Sequence, residues 1–547
     1  MVALVGEPPE IGGLRVYLVR PQVPVRPASV VNSKRARLHL LAGQILLVQR
    51  TGHNTSLRIG RFLAVLVGFC ALLGTSWCAC ADELYRTAVE LNAKYVADIE
   101  QLAAWCEGRG LSEQARQTRR CLSPQDPYKL YVPVLPEKVG RAELPPDAPP
   151  EVVEWDGRLA RLRRDQAGAL FELARRAVRS HRVGLAYDLA MAAVRANPDH
   201  EALRRLLGFQ EYLGQWHTAD EVRNLRAGQV WHAKFGWLPK AYVGRYEQGQ
   251  RYSRGRWISA AEDAAEHRDI RDGWLVETEH YTIRSNHSLE AGVALGTKLE
   301  RLQRLWRQLF VRYYATEAQV VAMFDGRARG IQTPKYHVVY FRDREDYNRS
   351  LRGALPKIEI SVGVYYAPTR TAYFFAGKDS EDRNLCHEAT HQLFHQSRRV
   401  SPDVGQKANF WIIEGIALYM ESLREEDGYY VLGGFEDQRM IAARYRLLQD
   451  NFYVPLQELT TYGMEKVQKH PQIATLYSQA AGLTNFLIHY EGGRYRDALV
   501  AYLSDVYSGR DTPDTLAQLT GSSYDQLDKQ YRQFMEASLR KGVGGPQ

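Results

Sequence analysis

Residues 384–395 read Asn-Leu-Cys-His-Glu-Ala-Thr-His-Gln-Leu-Phe-His, and the chain is best read outward from them. The stretch has an amphipathic helical pattern and carries His387-Glu388-x-x-His391. On a helix, residues four apart share a face, so both imidazoles can meet one metal ion. Glu388 follows the first histidine directly, where its carboxylate can act as general base toward the water that such an ion activates.

A catalytic zinc site takes three protein ligands and keeps one position open. Two third ligands compete. His395 lies one turn beyond His391 but eight residues from His387. That is about 12 Å along the axis, too far for one helix to wrap all three around an ion. Ser397 stands where a metzincin pattern would place its third histidine. The better candidate is Glu414, in Phe-Trp-Ile-Ile-Glu-Gly-Ile-Ala-Leu-Tyr-Met-Glu-Ser over 410–422. A carboxylate in so apolar a helical stretch is paired, protonated or metal-bound, because a lone buried charge is costly. Gly415 beside it lets another backbone come close.

His387-Glu388-x-x-His391, followed 23 residues later by Trp-x-x-Glu414-Gly-x-Ala-x-Tyr, resembles the gluzincin branch of zinc metallopeptidases. The small "peptidase MA-like" domains of exported bacterial proteins are the nearest likeness. The resemblance implies that His387, His391 and Glu414 bind zinc and that Glu388 is the catalytic base. It covers roughly residues 275–540. Tyr477, in Leu-Tyr-Ser-Gln-Ala-Ala-Gly-Leu over 476–483, stands where aminopeptidase-like relatives carry an oxyanion donor. Strand 371–376 resembles the edge along which gluzincins lay an extended substrate. Two departures stand out. No Gly-x-Met-Glu-Asn-like exopeptidase motif is present, and Leu418 replaces the aspartate that thermolysin places four residues after its glutamate ligand. Glu421, a turn further on, is the candidate support behind the histidines. The implied activity is hydrolysis of peptide bonds in a protein or peptide substrate. The alternative is a catalytically inert, exported zinc-binding scaffold whose helical module recognises a protein partner.

Around this segment the pattern predicts an α+β fold. Residues 82–225 form a helical module, with Leu84, Val89, Leu91, Tyr95, Ile99 and Leu102 at helical spacing. A Pro-rich linker or strap interrupts the module at 124–150. The alanine-rich pair over 170–194, closed by Asn197-Pro-Asp199, resembles one tetratricopeptide-like unit, and 201–213 begins a second. Residues 226–273, rich in Trp, Tyr and Arg, read as a connector docking two domains, with glycan stacking as the weaker alternative. The metallopeptidase-like part spans 274–540. It has strands at 276–284 and 336–342, a long helix from Leu289, a hairpin over 362–376, and only helices after 381.

The chain has 547 residues, 45% apolar and 25% charged, and its net charge is +9. Residues 1–81 hold nine of the basic residues and two acids, leaving 63 basic against 61 acidic in the remainder. The basic character belongs to the leader and gives no support for a nucleic-acid partner. Arg58 and Arg61, the apolar run 62–73 and Ala79-Cys-Ala81 make a signal-peptide pattern over 58–81. It predicts export to the periplasm, envelope or medium, with a retained N-terminal anchor as the alternative. Residues 1–57 read as a non-native or disordered leader. Of the mature cysteines, Cys106 and Cys121 form either a disulfide or isolated thiols, and Cys386 stands alone.

Overall fold

The computed structural model describes residues 83–122, 124, 126–135, 144–327, 335–377 and 382–541. The expected leader and signal peptide lie outside them. Among the described residues no helix is long and apolar enough to cross a membrane.

The chain begins with helices α1 (83–107) and α2 (Ser112–Arg119). Strand β1 (Lys129–Pro133) follows, then α3 (Pro150–Arg179), α4 (Val183–Ala196) and α5 (Glu201–Leu206). Pro150 occupies the first turn of α3, where its missing N–H costs nothing. Trp155 of α3 donates from its indole to Thr118 Oγ1 at 2.8 Å, tying α2 to α3. Helices α3 and α4 pack through Ala174, Ala177, Ala186, Ala190 and Ala193, all fully buried. Cys106, Cys121 and Cys386 are free thiols.

The second helical pair expected from 201–213 does not form. Helix α5 stops at Leu206, and Gly208 at φ +90° turns the chain into a strand. Three hairpin–helix units follow in tandem. They are β2 (Phe209–Tyr212), β3 (Gln215–Thr218) and α6 (Ala219–Arg226); β4 (Gln229–His232), β5 (Gly236–Pro239) and α7 (Val243–Glu247); and β6 (Gln250–Ser253), β7 (Arg256–Ser259) and α8 (Ala260–Glu266). Trp216, Trp237 and Trp257 hold one register, opposite Glu211, Trp231 and Tyr252. Thr218 and Ser259 close capping boxes with Glu221 and Glu262. The expected connector, 226–273, thus contains the second and third of three repeats. Arg251 docks them on the next region, stacking over Phe235 and donating to Glu290 at 2.8 Å.

The C-terminal region opens with the hairpin β8 (Trp274–Glu277) and β9 (Tyr281–Ser285), then α9 (Leu289–Leu309), α10 (Val311–Tyr314) and α11 (Glu317–Phe324). Next come β10 (Tyr336–Phe341), α12 (Arg344–Leu351), β11 (Val364–Tyr366) and β12 (Thr371–Phe375). The five strands form one sheet in the order β11-β12-β10-β9-β8, with the three central strands parallel and both outer strands antiparallel. Period-two alternation sorts its two faces. Tyr281, Ile283, Tyr336, Val338, Tyr365, Ala372 and Phe374 join the main core with α9, whereas Phe341, Val364 and Phe375 join a smaller core with Tyr347 and Leu351 of α12. Strand 371–376, expected at the edge, is second in the sheet because β11 folds back onto it.

Helices α13 (Asp382–Gln396) and α14 (Phe410–Met420) follow, then strands β13 (Arg424–Glu426) and β14 (Tyr429–Gly433). The expectation of helices alone after 381 therefore fails here. Strand β1 pairs antiparallel with β14 over Lys129–Pro133, so the Pro-rich strap completes a three-stranded sheet. Helices α15 (Gln438–Leu448), α16 (Leu456–Leu459), α17 (Met464–Gln468), α18 (Ile473–His489), α19 (Arg496–Ser508), α20 (Thr515–Thr520) and α21 (Tyr524–Lys541) complete an α+β fold.

Candidate metal centre

Helix α13 packs against α9, α14, β11 and β12, so little of it is left to solvent. Its Leu385, Ala389, Leu393 and Phe394 join the main core. The i,i+4 spacing of His387 and His391 puts both rings on one face. Helix α14 is buried along its whole length, and Glu414 is its only ionisable side chain apart from the tyrosine Tyr419. Asn409, in the left-handed region at φ 56°, precedes α14 and is fixed by Asp511, Thr512 and Tyr502. Gly415 lets α18 approach: a Cβ there would lie 2.4 Å from Thr484 Oγ1 and 2.9 Å from the Ala480 carbonyl. The sequence reading of Gly415 as a site of close backbone approach matches this contact.

These elements bring His387, His391 and Glu414 together, their ligand atoms all within 4.8 Å of one another. The two Nε2 atoms are 3.1 Å apart, and Glu414 Oε2 lies 3.4 Å from His387 Nε2 and 3.7 Å from His391 Nε2. Two imidazole nitrogens and one carboxylate oxygen converging on one place are a donor set that can hold a metal ion. His395 is not part of the group. Its Nδ1 bonds the Tyr365 hydroxyl at 2.9 Å, and burial pulls its pKa down to about 4.

Behind the ligands lies a charged network. Glu421 accepts from His387 Nδ1 at 2.9 Å and is clamped by Arg439 at 2.8 and 3.0 Å. Arg383 stands 3.5 Å from Glu421 and donates to Asp437, which caps α15. Burial opposes ionisation of Glu421, but Arg439 and His387 outweigh it and hold its pKa at about 2. Burial likewise opposes charge on Glu414, and the two histidines keep it well below the usual carboxylate range. For His387 burial disfavours the cation, yet Glu414 and Glu421 raise its pKa. Without an ion, a proton on His387 balances the carboxylates.

Glu388 is 7% exposed, and its Oε2 accepts from the Tyr365 backbone N–H at 2.7 Å. Tyr477, on α18, is buried with its hydroxyl lacking a well-aligned hydrogen-bond partner. Burial raises its pKa far above the ordinary value, and the Glu414 and Glu388 carboxylates add to the shift, which puts the phenol beside the group. The structure thus gathers Glu388, Tyr477 and the three ligand candidates at one place. Sequence reasoning missed Arg383, Asp437, Arg439 and Tyr365. The one available signal was Glu421, a carboxylate that needs a cation once buried, but its partner Arg439 comes only after an intervening hairpin.

These features define an α+β protein with a buried two-histidine, one-carboxylate group able to hold a metal ion. No protein-family model matches the chain and no curated protein matches it, so the residues themselves carry the functional reading.

Proposed function

We propose that this chain is an exported zinc metallopeptidase of gluzincin type. The carrying observation is that His387, His391 and Glu414 converge within 4.8 Å while Glu388 stands one residue from the first of them. A zinc ion held by the three would supply Lewis acidity toward a carbonyl and ease deprotonation of water. Glu388 takes the proton of the attacking water and returns it to the leaving amine. Glu421, held by Arg439, fixes the tautomer and orientation of His387 through its Nδ1. Tyr477, whose buried hydroxyl lies beside the Glu414 carboxylate, donates to the oxyanion.

The sheet, the α13–α14 pair and the helices behind them form the zincin-like domain of this reading. The pair α3–α4 forms a tetratricopeptide-like module for a protein partner, and 58–81 directs export. The alternative, an inert zinc-binding scaffold, draws support from the deep burial of Glu388, His391 and Glu414, which are 6–7% exposed.

Metal content of the purified chain, by elemental mass spectrometry beside His391→Ala and Glu414→Ala, tests the site. About one zinc per chain, lost in both variants, is the expected result. No zinc after reconstitution sinks the proposal. Glu388→Gln separates enzyme from scaffold: it should keep the metal and abolish hydrolysis of a quenched-fluorescent peptide library, whereas a scaffold hydrolyses nothing to begin with.

A further inference from the structure

We propose that Tyr365 is a positioning residue that fixes the sheet's edge in register with the metal helix, so that Glu388 is held ready as a base. The inference rests on the metallopeptidase reading above. Strand β11 is three residues long and terminal in its sheet, so one row of its main-chain groups has no neighbouring strand to pair with. Here the edge is pinned at two points of α13 by one residue. The Tyr365 N–H donates to Glu388 Oε2 at 2.7 Å. Its side chain, on the core face of the sheet, reaches the last turn of the helix, where the hydroxyl meets His395 Nδ1 at 2.9 Å. Gln396 Nε2 donates to the same hydroxyl at 3.2 Å, so the hydroxyl proton is left for the imidazole. Glu388 and His395 are seven residues apart, about 10 Å along the helix axis.

Two neighbours reinforce this clamp. Gln396 also donates to the Arg370 carbonyl at 2.7 Å and Gln392 to the His337 carbonyl at 2.9 Å, fastening α13 to the turn after β11 and to β10. A Cβ on Gly363 would come 3.2 Å from Phe374 and 3.5 Å from Glu388 Cγ, so its absence leaves room for the Glu388 stem under the edge. The consequence is chemical. With Oε2 held by a backbone donor, Glu388 has one oxygen restrained and one for proton transfer. A base held in place needs less reorganisation in the reaction step, an effect on kcat rather than KM.

The test uses the full zinc-loaded chain and variants Tyr365→Phe, His395→Ala and the double variant, assayed on a quenched-fluorescent peptide library. Each should keep one zinc per chain and the wild-type KM while kcat falls about tenfold, and the double variant should be no worse than either single. In parallel, amide exchange of the segment around Tyr365 should speed up about tenfold in Glu388→Ala. Wild-type kcat in Tyr365→Phe, additive losses in the double variant, or unchanged exchange in Glu388→Ala would each overturn the inference. An inactive wild-type chain would instead overturn the metallopeptidase reading beneath it. Should Tyr365→Phe fail to fold, His395→Ala and the exchange measurement still decide.

Discussion

Two helix pairs in this molecule are built on opposite rules. The packed pair α3–α4 buries apolar side chains rich in alanine, with Ala174, Ala177, Ala186, Ala190 and Ala193 fully buried beside Leu170, Leu173, Leu189 and Val194. Small residues let the axes close up, apolar burial dominates, and Arg163 adds one hydrogen bond at 2.7 Å to the Ala196 carbonyl at the end of α4. In α13–α14 the interface region buries Glu388, His391 and Glu414, with Glu421 just beyond. Burying such groups costs stability unless each is paired, and replacing a buried ionic cluster by apolar residues is often stabilising. The second pair therefore carries groups that packing does not require, and Arg439 and Arg383 on its flank offset their charge. A stability-only explanation fits the first pair and fails for the second.

The comparison breaks most decisively at Glu388. Glu388→Gln is isosteric and should leave the fold and metal intact while cutting peptide hydrolysis by about 10²–10⁴-fold. If instead the variant mainly changes the melting temperature, the carboxylate is a packing element like the alanines. Tyr477→Phe comes next. Loss of one oxyanion donor should lower kcat by about 10²-fold with KM unchanged, and a pure core role predicts no kinetic effect. Glu421→Gln keeps the hydrogen bond to His387 but removes the charge behind it, so metal affinity by chelator competition should weaken about 10–100-fold.

The sequence makes part of this contrast legible and hides the rest for identifiable reasons. His387, His391 and Glu388 lie within five residues, so helical spacing alone places them together. Glu414 is readable as the lone acid in an apolar helix, and Gly415 as a point of close approach. The α+β architecture and the positions of β10, α9 and the β11–β12 hairpin follow from periodicity. Three features escape it. The repeat over 209–266 is obscured because its second unit carries a longer loop at 233–235 and Pro239 where the others have Thr218 and Ser259 as caps. Strands β1 and β14 meet only by a pairing across about 300 residues, which no local pattern announces. The edge expected at 371–376 is covered by β11 instead, because a three-residue strand, Val364–Tyr366, has too few positions to show which side is free.

Titration sharpens the contrast further. Glu421 is depressed in the folded chain to about 2, so its contribution to stability is present above its ordinary value of 4.5 and lost as pH falls toward 2. His387 is raised to about 10, so in the metal-free chain its contribution is full below its ordinary value of 6.5 and is lost as pH rises toward 10. Metal competes for the same nitrogen, so zinc affinity should rise with pH across that upper window and chelator competition should show it. A flat affinity between pH 6.5 and 9 would mean that metal binding displaces no proton from His387 in that range.

The smallest effect belongs to the alanine pair and serves as the reference for the others. Ala190→Gly, at the centre of α4, removes a buried methyl and loosens the helix backbone. It should cost about 1–2 kcal/mol in denaturant unfolding. The change lies in an apolar, alanine-rich part of the core, so it should leave zinc stoichiometry, the zinc–pH profile and kcat as they are in the wild type. The replacements at Glu388 and Tyr477 should show the reverse, with large changes in kinetics and small ones in stability, whereas Glu421→Gln should lower both metal affinity and stability because it leaves Arg439 facing a neutral partner. If Ala190→Gly lowered zinc affinity as much as Glu421→Gln does, the two pairs would be mechanically coupled. The metal group would then depend on the packing of the N-terminal helices rather than on its own charged surroundings.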